Sequence, residues 1–158
     1  MRQFPRNVAT SIDGLIIAAA VIAASDPAAG DKAAAVAELV AFSVLAFFVA
    51  HVYALLLGSW SKERRAPGRQ QVRQTVLAQS PMLTVIAVPI AILLLGVFDA
   101  VDDQNAINLA LYVCVGELAA IAWYASRGAG ASRPQSLIAV LVAILIGAGI
   151  IVLKAALH

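Results

Sequence analysis

Five long apolar runs, separated by short polar blocks, restrict what this chain can fold into more than any other feature. They cover about 7–24, 34–58, 81–98, 106–125 and 137–155. Crossing a hydrocarbon core about 30 Å thick takes roughly 20 helical residues. All five runs are of that order, the first and third being the shortest. Inside lipid only helices or closed barrels satisfy the backbone. Continuous Ala, Leu, Ile and Val stretches lack the alternation of barrel strands. The expectation is therefore an all-α fold: a polytopic transmembrane bundle of five spans, forming one domain over residues 1–158.

Composition supports this. The chain is 62% apolar and 13% charged, against about 45–50% and about 25% for a soluble domain. There are too few polar residues to cover a water-facing surface, so lipid has to solvate most of the exterior. The basic residues sit in short blocks rather than on one continuous face, so no nucleic-acid partner is expected. The single cysteine, Cys114, excludes an internal disulfide and a cysteine-based metal cluster, and reads as a small buried hydrophobe. Arg2 and Arg6 before the first run give it the look of a signal peptide. Ser11 and Asp13 interrupt that run, and Ala23-Ala24-Ser25 matches a cleavage site only loosely. A retained first helix is expected, with cleavage as the alternative.

Charge distribution predicts orientation. Arg2, Arg6, Lys62, Arg64, Arg65, Arg69, Arg73, Arg127 and Arg133 place nine of the eleven Lys/Arg on one side. Asp26, Asp31, Asp99, Asp102 and Asp103 occupy the opposite loops, with Lys32 their only basic residue. The positive-inside rule then puts the N-terminus and both basic loops in the cytoplasm and the C-terminus outside. Residues 26–31 (Asp-Pro-Ala-Ala-Gly-Asp) and Ala66-Pro67-Gly68 read as turns, and 128–134 as a flexible link. Arg69 to Ser80 restarts at helical spacing. It is either an interfacial helix leading into the third span or a solvated continuation of that span. Pro89 predicts a kink. Trp60, Trp123 and Tyr124 fall where aromatic rings anchor at a membrane interface.

The residues best placed for chemistry are ionisable groups within the runs: Asp13, Glu38, His51, Glu117 and Lys154. A charge at the bilayer centre costs at least about 2.5–3.5 kcal/mol, so such groups face the bundle interior or find partners. Counting from the span ends gives Asp13, His51 and Glu117 similar depths, suited to an acid–imidazole–acid cluster, with Tyr124 extending it toward the cytoplasm. Glu38 and Lys154 both fall near the outer ends of their helices and form a second expected pair. One reading of these groups is a proton or cation path. The other is a hydrogen-bond network that fixes helix register, at about 0.6 kcal/mol per contact.

Other chemistries find no support. There is no phosphate-binding Gly-x-x-x-x-Gly-Lys loop and no paired metal-ligand spacing. No nucleophile-elbow sequence is present. His51 is the one histidine within a run, too few for a bis-histidine haem in a single chain. No cofactor or metal is expected. Small residues four apart, such as Gly14 with Ala18 and Gly116 with Ala120, predict close helix packing or self-association.

Phe47-Phe48-Val49-Ala50-His51-Val52-Tyr53-Ala54, with the closing Leu153-Lys154-Ala155-Ala156-Leu157-His158, resembles uncharacterised five-helix membrane proteins of actinobacteria. The resemblance implies a multi-pass topology in a bacterial cytoplasmic membrane and no particular activity. Arg6 to Gly14 is similar in part to the Arg-x-x-x-Phe-Ser-Asp opening of bacterial lysosomal-type potassium channels. It departs from that pattern by insertions and by the missing Phe, and those channels have six helices per unit. Taken together, the expectation is a small homo-oligomeric channel or proton-linked transporter. The alternative is an accessory or scaffold subunit held in the bilayer by a larger membrane complex, and an enzyme ranks third.

Overall fold

A computed structural model describes residues 4–26 and 30–157, and among them there are seven helices and no strand. The helices are α1 (Phe4–Ala24), α2 (Ala33–Glu63), α3 (Arg69–Gln79), α4 (Pro81–Val85), α5 (Ala87–Val97), α6 (Asp103–Gly128) and α7 (Arg133–Leu157). Arg2, the Pro27–Ala29 part of the predicted turn, and His158 lie outside the described residues. Each apolar run forms helix, and α1, α2, α6 and α7 extend past their runs into polar flanks.

The chain is all-α and apolar. The helices α2, α6 and α7 are each long and apolar enough to cross a membrane, and α3 through α5 make a fourth crossing if counted as one bent span. The apolar part of α1, Val8–Ala24, is shorter than that. Helix lengths alone therefore give three or four crossings rather than the five expected from the runs.

α1 packs against α2, α3, α4, α6 and α7, so it occupies the centre of the bundle. Leu15, Ala18, Ala19 and Ile22 on α1 are fully buried, against Val36, Val40 and Val44 of α2 and Ile107, Ala110 and Leu111 of α6 in one core. Small side chains let the backbones approach closely. A Cβ built on Gly14 would lie 2.7 Å from the Met82 carbonyl oxygen, so α1 and α4 touch where only glycine fits. One built on Gly147 would lie 2.6 Å from Val115 Cγ1, which explains the close α6–α7 contact.

The third run departs from a simple span in two ways. Ser80 keeps right-handed helical dihedrals (φ −57°, ψ −26°), so α3 continues into α4. The polar stretch is thus continuous in helix with the start of the third run. The bend, 41°, falls instead between Arg69–Val85 and Ala87–Val97. It sits one turn before Pro89, which has no N–H to offer the Val85 carbonyl and whose ring crowds it. The kink expected from Pro89 is thereby located at Ile86.

Two turns are fixed by local chemistry. Across 26–31 the Asp26 N–H donates to Asp31 Oδ2 at 2.8 Å and the Asp31 N–H to the Asp26 carbonyl at 3.2 Å, with Gly30 at φ 103°, where a side chain would be strained. At the start of α2 the Lys32 side chain makes no cap, and Asp103 supplies one from α6. Asp103 Oδ1 accepts the Ala33 N–H at 3.0 Å, which also locks the ends of α2 and α6 together.

Candidate intramembrane polar site

Gly96, Ala33 and Ala106 meet at one end of the bundle and give a common origin for depth. A Cβ on Gly96 would lie 2.7 Å from Ala33 Cβ and 3.1 Å from Ala106 Cβ. At about 1.5 Å per residue, Glu117 lies about 16 Å inward along α6 and the Ile86 break about 15 Å inward along α5. Met82, which Gly14 touches, is about 21 Å inward, and this sets the level of Asp13. His51 lies about 27 Å along α2, level with Gln79 at about 26 Å. The three residues expected at one depth are instead stepped over about 11 Å.

Glu117 is half-buried on α6, and its Oε2 is shielded and has no hydrogen-bond partner. It shares a helical face with buried Ala110 and Cys114 and half-buried Ile121. Its depth matches the break at Ile86, where the Val85 carbonyl loses its usual helical donor to Pro89. Buried Thr10 Oγ1 donates to Gln79 Oε1 at 2.8 Å, joining α1 to α3 one step further along. His51 is half-buried on the α2 stripe that carries Val40 and Val44, and its ring stacks on Phe47 at 5.8 Å between centroids and 23° between planes. Asp13 is half-buried, on the face of α1 that also carries exposed Ala9, Ala20 and Ala24.

No hydrogen bond joins Asp13, His51 and Glu117, and no group of three His, Cys, Asp or Glu among the described residues is arranged to hold a metal ion. Tyr124 is level with His51 but 71% exposed, so it points away from the bundle rather than extending a buried track. The expected Glu38–Lys154 pair is not formed. Glu38 is exposed among Leu39 and Phe42 on the outer face of α2, and α2 does not pack along α7. Lys154 Nζ is shielded without a hydrogen-bond partner, and Asp26 is the acidic group within electrostatic reach of it.

Sequence reasoning passed over Thr10 and Gln79. A polar residue four positions after Thr10 would have marked a polar helix face, but Gly14 stands there and hides the signal. The clue available was Gln79, a polar side chain two positions before the third apolar run. Asp103 was legible as an acidic loop residue, while its role as a cap depends on a partner 70 residues away.

Comparison with protein-family models, curated proteins and solved structures finds no match to this chain.

Proposed function

We propose that the chain is a five-span protein of a bacterial cytoplasmic membrane that moves protons or small cations as a homo-oligomer. The observation that carries this reading is Glu117: a shielded carboxyl oxygen without a partner, at the depth where the third span breaks. Broken helices at membrane depth are tolerated where they are buried in protein or line a watered cavity, and transporters place ion sites beside them. A carboxyl group there has an incentive to exchange protons or meet a cation.

The polar groups form steps. Glu117 stands near the bundle middle, Asp13 next, then Thr10 with Gln79, and His51 at the basic end. Gaps of a few ångströms along the axis suit relay through water. Asp13 lies on an outward face of α1, so a second copy packing there would enclose the path that one copy leaves open.

Five crossings follow if the bent α3–α5 segment is one span and α1 another. The 21 residues of α1 reach about 31 Å, the thickness of a hydrocarbon core. The nine basic residues on one side then set the N-terminus and the α2–α3 and α6–α7 connections in the cytoplasm, with the C-terminus outside.

The test is flux in proteoliposomes with a pH- or potassium-sensitive dye inside. Ion movement above that of empty vesicles supports the reading, and none at any imposed gradient overturns it. An accessory subunit is the second reading, favoured by Glu38 on a face whose Phe42 is 73% exposed. A lipid-facing carboxylate is costly, and a partner protein would cover it. A stoichiometric foreign partner retained through gentle detergent purification would favour that reading over a homo-oligomer.

A further inference from the structure

The connection from α2 to α3 holds the largest group of basic residues in the chain. Lys62, Arg64, Arg65, Arg69 and Arg73 fall within twelve residues, with Glu63 the one acidic residue among them. All five cations are exposed, and no described residue pairs with any of their side chains. Their charge is therefore left for a partner outside the chain.

Local structure sets these charges around a recess. α2 ends at Arg64, which turns into the left-handed region (φ 50°) and returns its N–H to the Trp60 carbonyl at 2.9 Å. The chain reverses through Ala66-Pro67-Gly68, and α3 starts from Gly68 without a side-chain cap. The Val72 N–H donates to the Gly68 carbonyl at 3.0 Å, so the N–H groups of Arg69, Gln70 and Gln71 face out of the open end of the helix. A recess of about 380 Å³ lies at that end, lined by Arg65, Ala66, Gly68, Gln70, Gln71 and Gln74. Gln71 Nε2 donates to Ser59 Oγ at 3.1 Å, which ties this wall to α2. Arg65 lines the recess itself, Arg64 precedes it, Arg69 stands between two lining residues and Arg73 is next to Gln74. A guanidinium, three side-chain amides and the positive end of a helix dipole suit a phosphate.

The level of the recess says where that phosphate comes from. From the Gly96–Ala33–Ala106 origin, Trp60, Lys62, Arg69 and Arg73 lie about 35–44 Å along their helices. That is just beyond a hydrocarbon core about 30 Å thick, at the height of lipid headgroups. Trp60, 49% exposed in the last turns of α2, is the kind of ring that anchors at this height.

We infer that the α2–α3 connection binds the headgroup of an anionic phospholipid, with its phosphate in the recess beside Arg65 and the open end of α3. The site depends on the membrane placement proposed above but not on ion movement. Each basic residue near a membrane surface changes affinity for anionic lipid by about fivefold. The other connection on the same face carries two arginines, and Arg127 Nη1 already donates to the Ala131 carbonyl at 2.9 Å. It therefore serves as the internal control.

The experiment reconstitutes the full chain in phosphatidylcholine vesicles doped with a phosphatidylglycerol that carries a photoactivatable group at the top of its acyl chain. Crosslinks are mapped by mass spectrometry and compared with those from a phosphatidylcholine probe of the same chain. Labelling across residues 60–74 should favour the phosphatidylglycerol probe by at least about fivefold. Combined Arg65→Gln and Arg69→Gln should bring the two probes near parity there. Combined Arg127→Gln and Arg133→Gln, which removes the same charge from the same face, should leave the preference unchanged. Helical circular dichroism checks that both variants remain folded. Sodium phosphate should act no more strongly than sodium chloride of equal ionic strength. Equal labelling by both probes in the wild type overturns the proposal. So does an equal fall in the two double variants, which would mean diffuse surface charge. Phosphate that displaces the lipid where chloride does not would make the recess a site for the free anion and overturn the lipid assignment. Absence of crosslinks to any helix from either probe overturns the membrane placement as well. Flux failing while the preference persists overturns the transport reading alone.

Discussion

Replacing Gly14 by alanine tests the point where α1 meets the backbone of α4. The new Cβ would stand 2.7 Å from the Met82 carbonyl oxygen, 3.0 Å from Met82 Cγ and 3.3 Å from Met82 Cα. The Cγ atom can swing aside, but the carbonyl belongs to the backbone of α4, so the helices have to separate. Overpacking of this kind costs about 1–3 kcal/mol. Working against it, Gly→Ala in a helix gains about 0.8–1.0 kcal/mol of propensity. The net change for Gly14→Ala alone is thus small and uninformative in size. Gly116 supplies the reference: it is helical and exposed, with nothing within 4 Å of its would-be Cβ. Gly116→Ala carries the propensity gain without the clash. The difference between the two variants isolates the packing term, and Gly14→Ala is expected to be less stable than Gly116→Ala by about 1–3 kcal/mol. Unfolding with sodium dodecyl sulfate in mixed micelles, followed by circular dichroism, measures both. Equal stabilities, or Gly14→Ala the more stable, would refute the α1–α4 contact and with it the central place of α1.

Asp103→Ala removes the cap that α6 lends to α2, and the same unfolding assay should show a loss of about 0.5–2 kcal/mol. Asp103→Asn, which keeps an acceptor oxygen, should recover most of it. Thr10→Val breaks the buried bond to Gln79 and should cost about 0.6 kcal/mol, up to about 1.7 kcal/mol, as such bonds do in membrane proteins. Pro89→Ala restores the N–H missing opposite the Val85 carbonyl and is expected to straighten the 41° bend. If the break supports ion movement, flux in proteoliposomes falls several-fold in this variant while helix content holds or rises; unchanged flux would separate the bend from transport.

Much of the architecture was legible because hydrophobicity acts locally. The five runs mapped onto helices with ends within a few residues, and Pro89 announced a break that the Val85–Ile86 junction accommodates. The number of crossings was less legible. Apolar length measures what a helix could do in lipid, whereas α1 is apolar because protein surrounds it. The same pattern, Leu15, Ala18, Ala19 and Ile22, serves either purpose.

Side-chain pairing was hardest to read. Depth can be counted from the ends of a run, but the facing of a helix depends on neighbours that the sequence does not name. Glu38 and Lys154 shared a depth and still lie apart, since α2 and α7 do not pack together. Asp13, His51 and Glu117 were placed together by counting to uncertain span ends. Anchoring the count at Gly96, Ala33 and Ala106 spreads them into steps. The Thr10–Gln79 bond went unseen because its partners are 69 residues apart.

The central claim is that Glu117 forms the intramembrane step of a transport path, and one comparison addresses it directly. Wild type, Glu117→Gln and Glu38→Gln are reconstituted at equal protein density, and dye-reported proton or cation flux is measured under the same imposed gradient. Loss of flux in Glu117→Gln, with wild-type flux in Glu38→Gln, is the predicted result. Flux that persists unchanged in folded Glu117→Gln would contradict it.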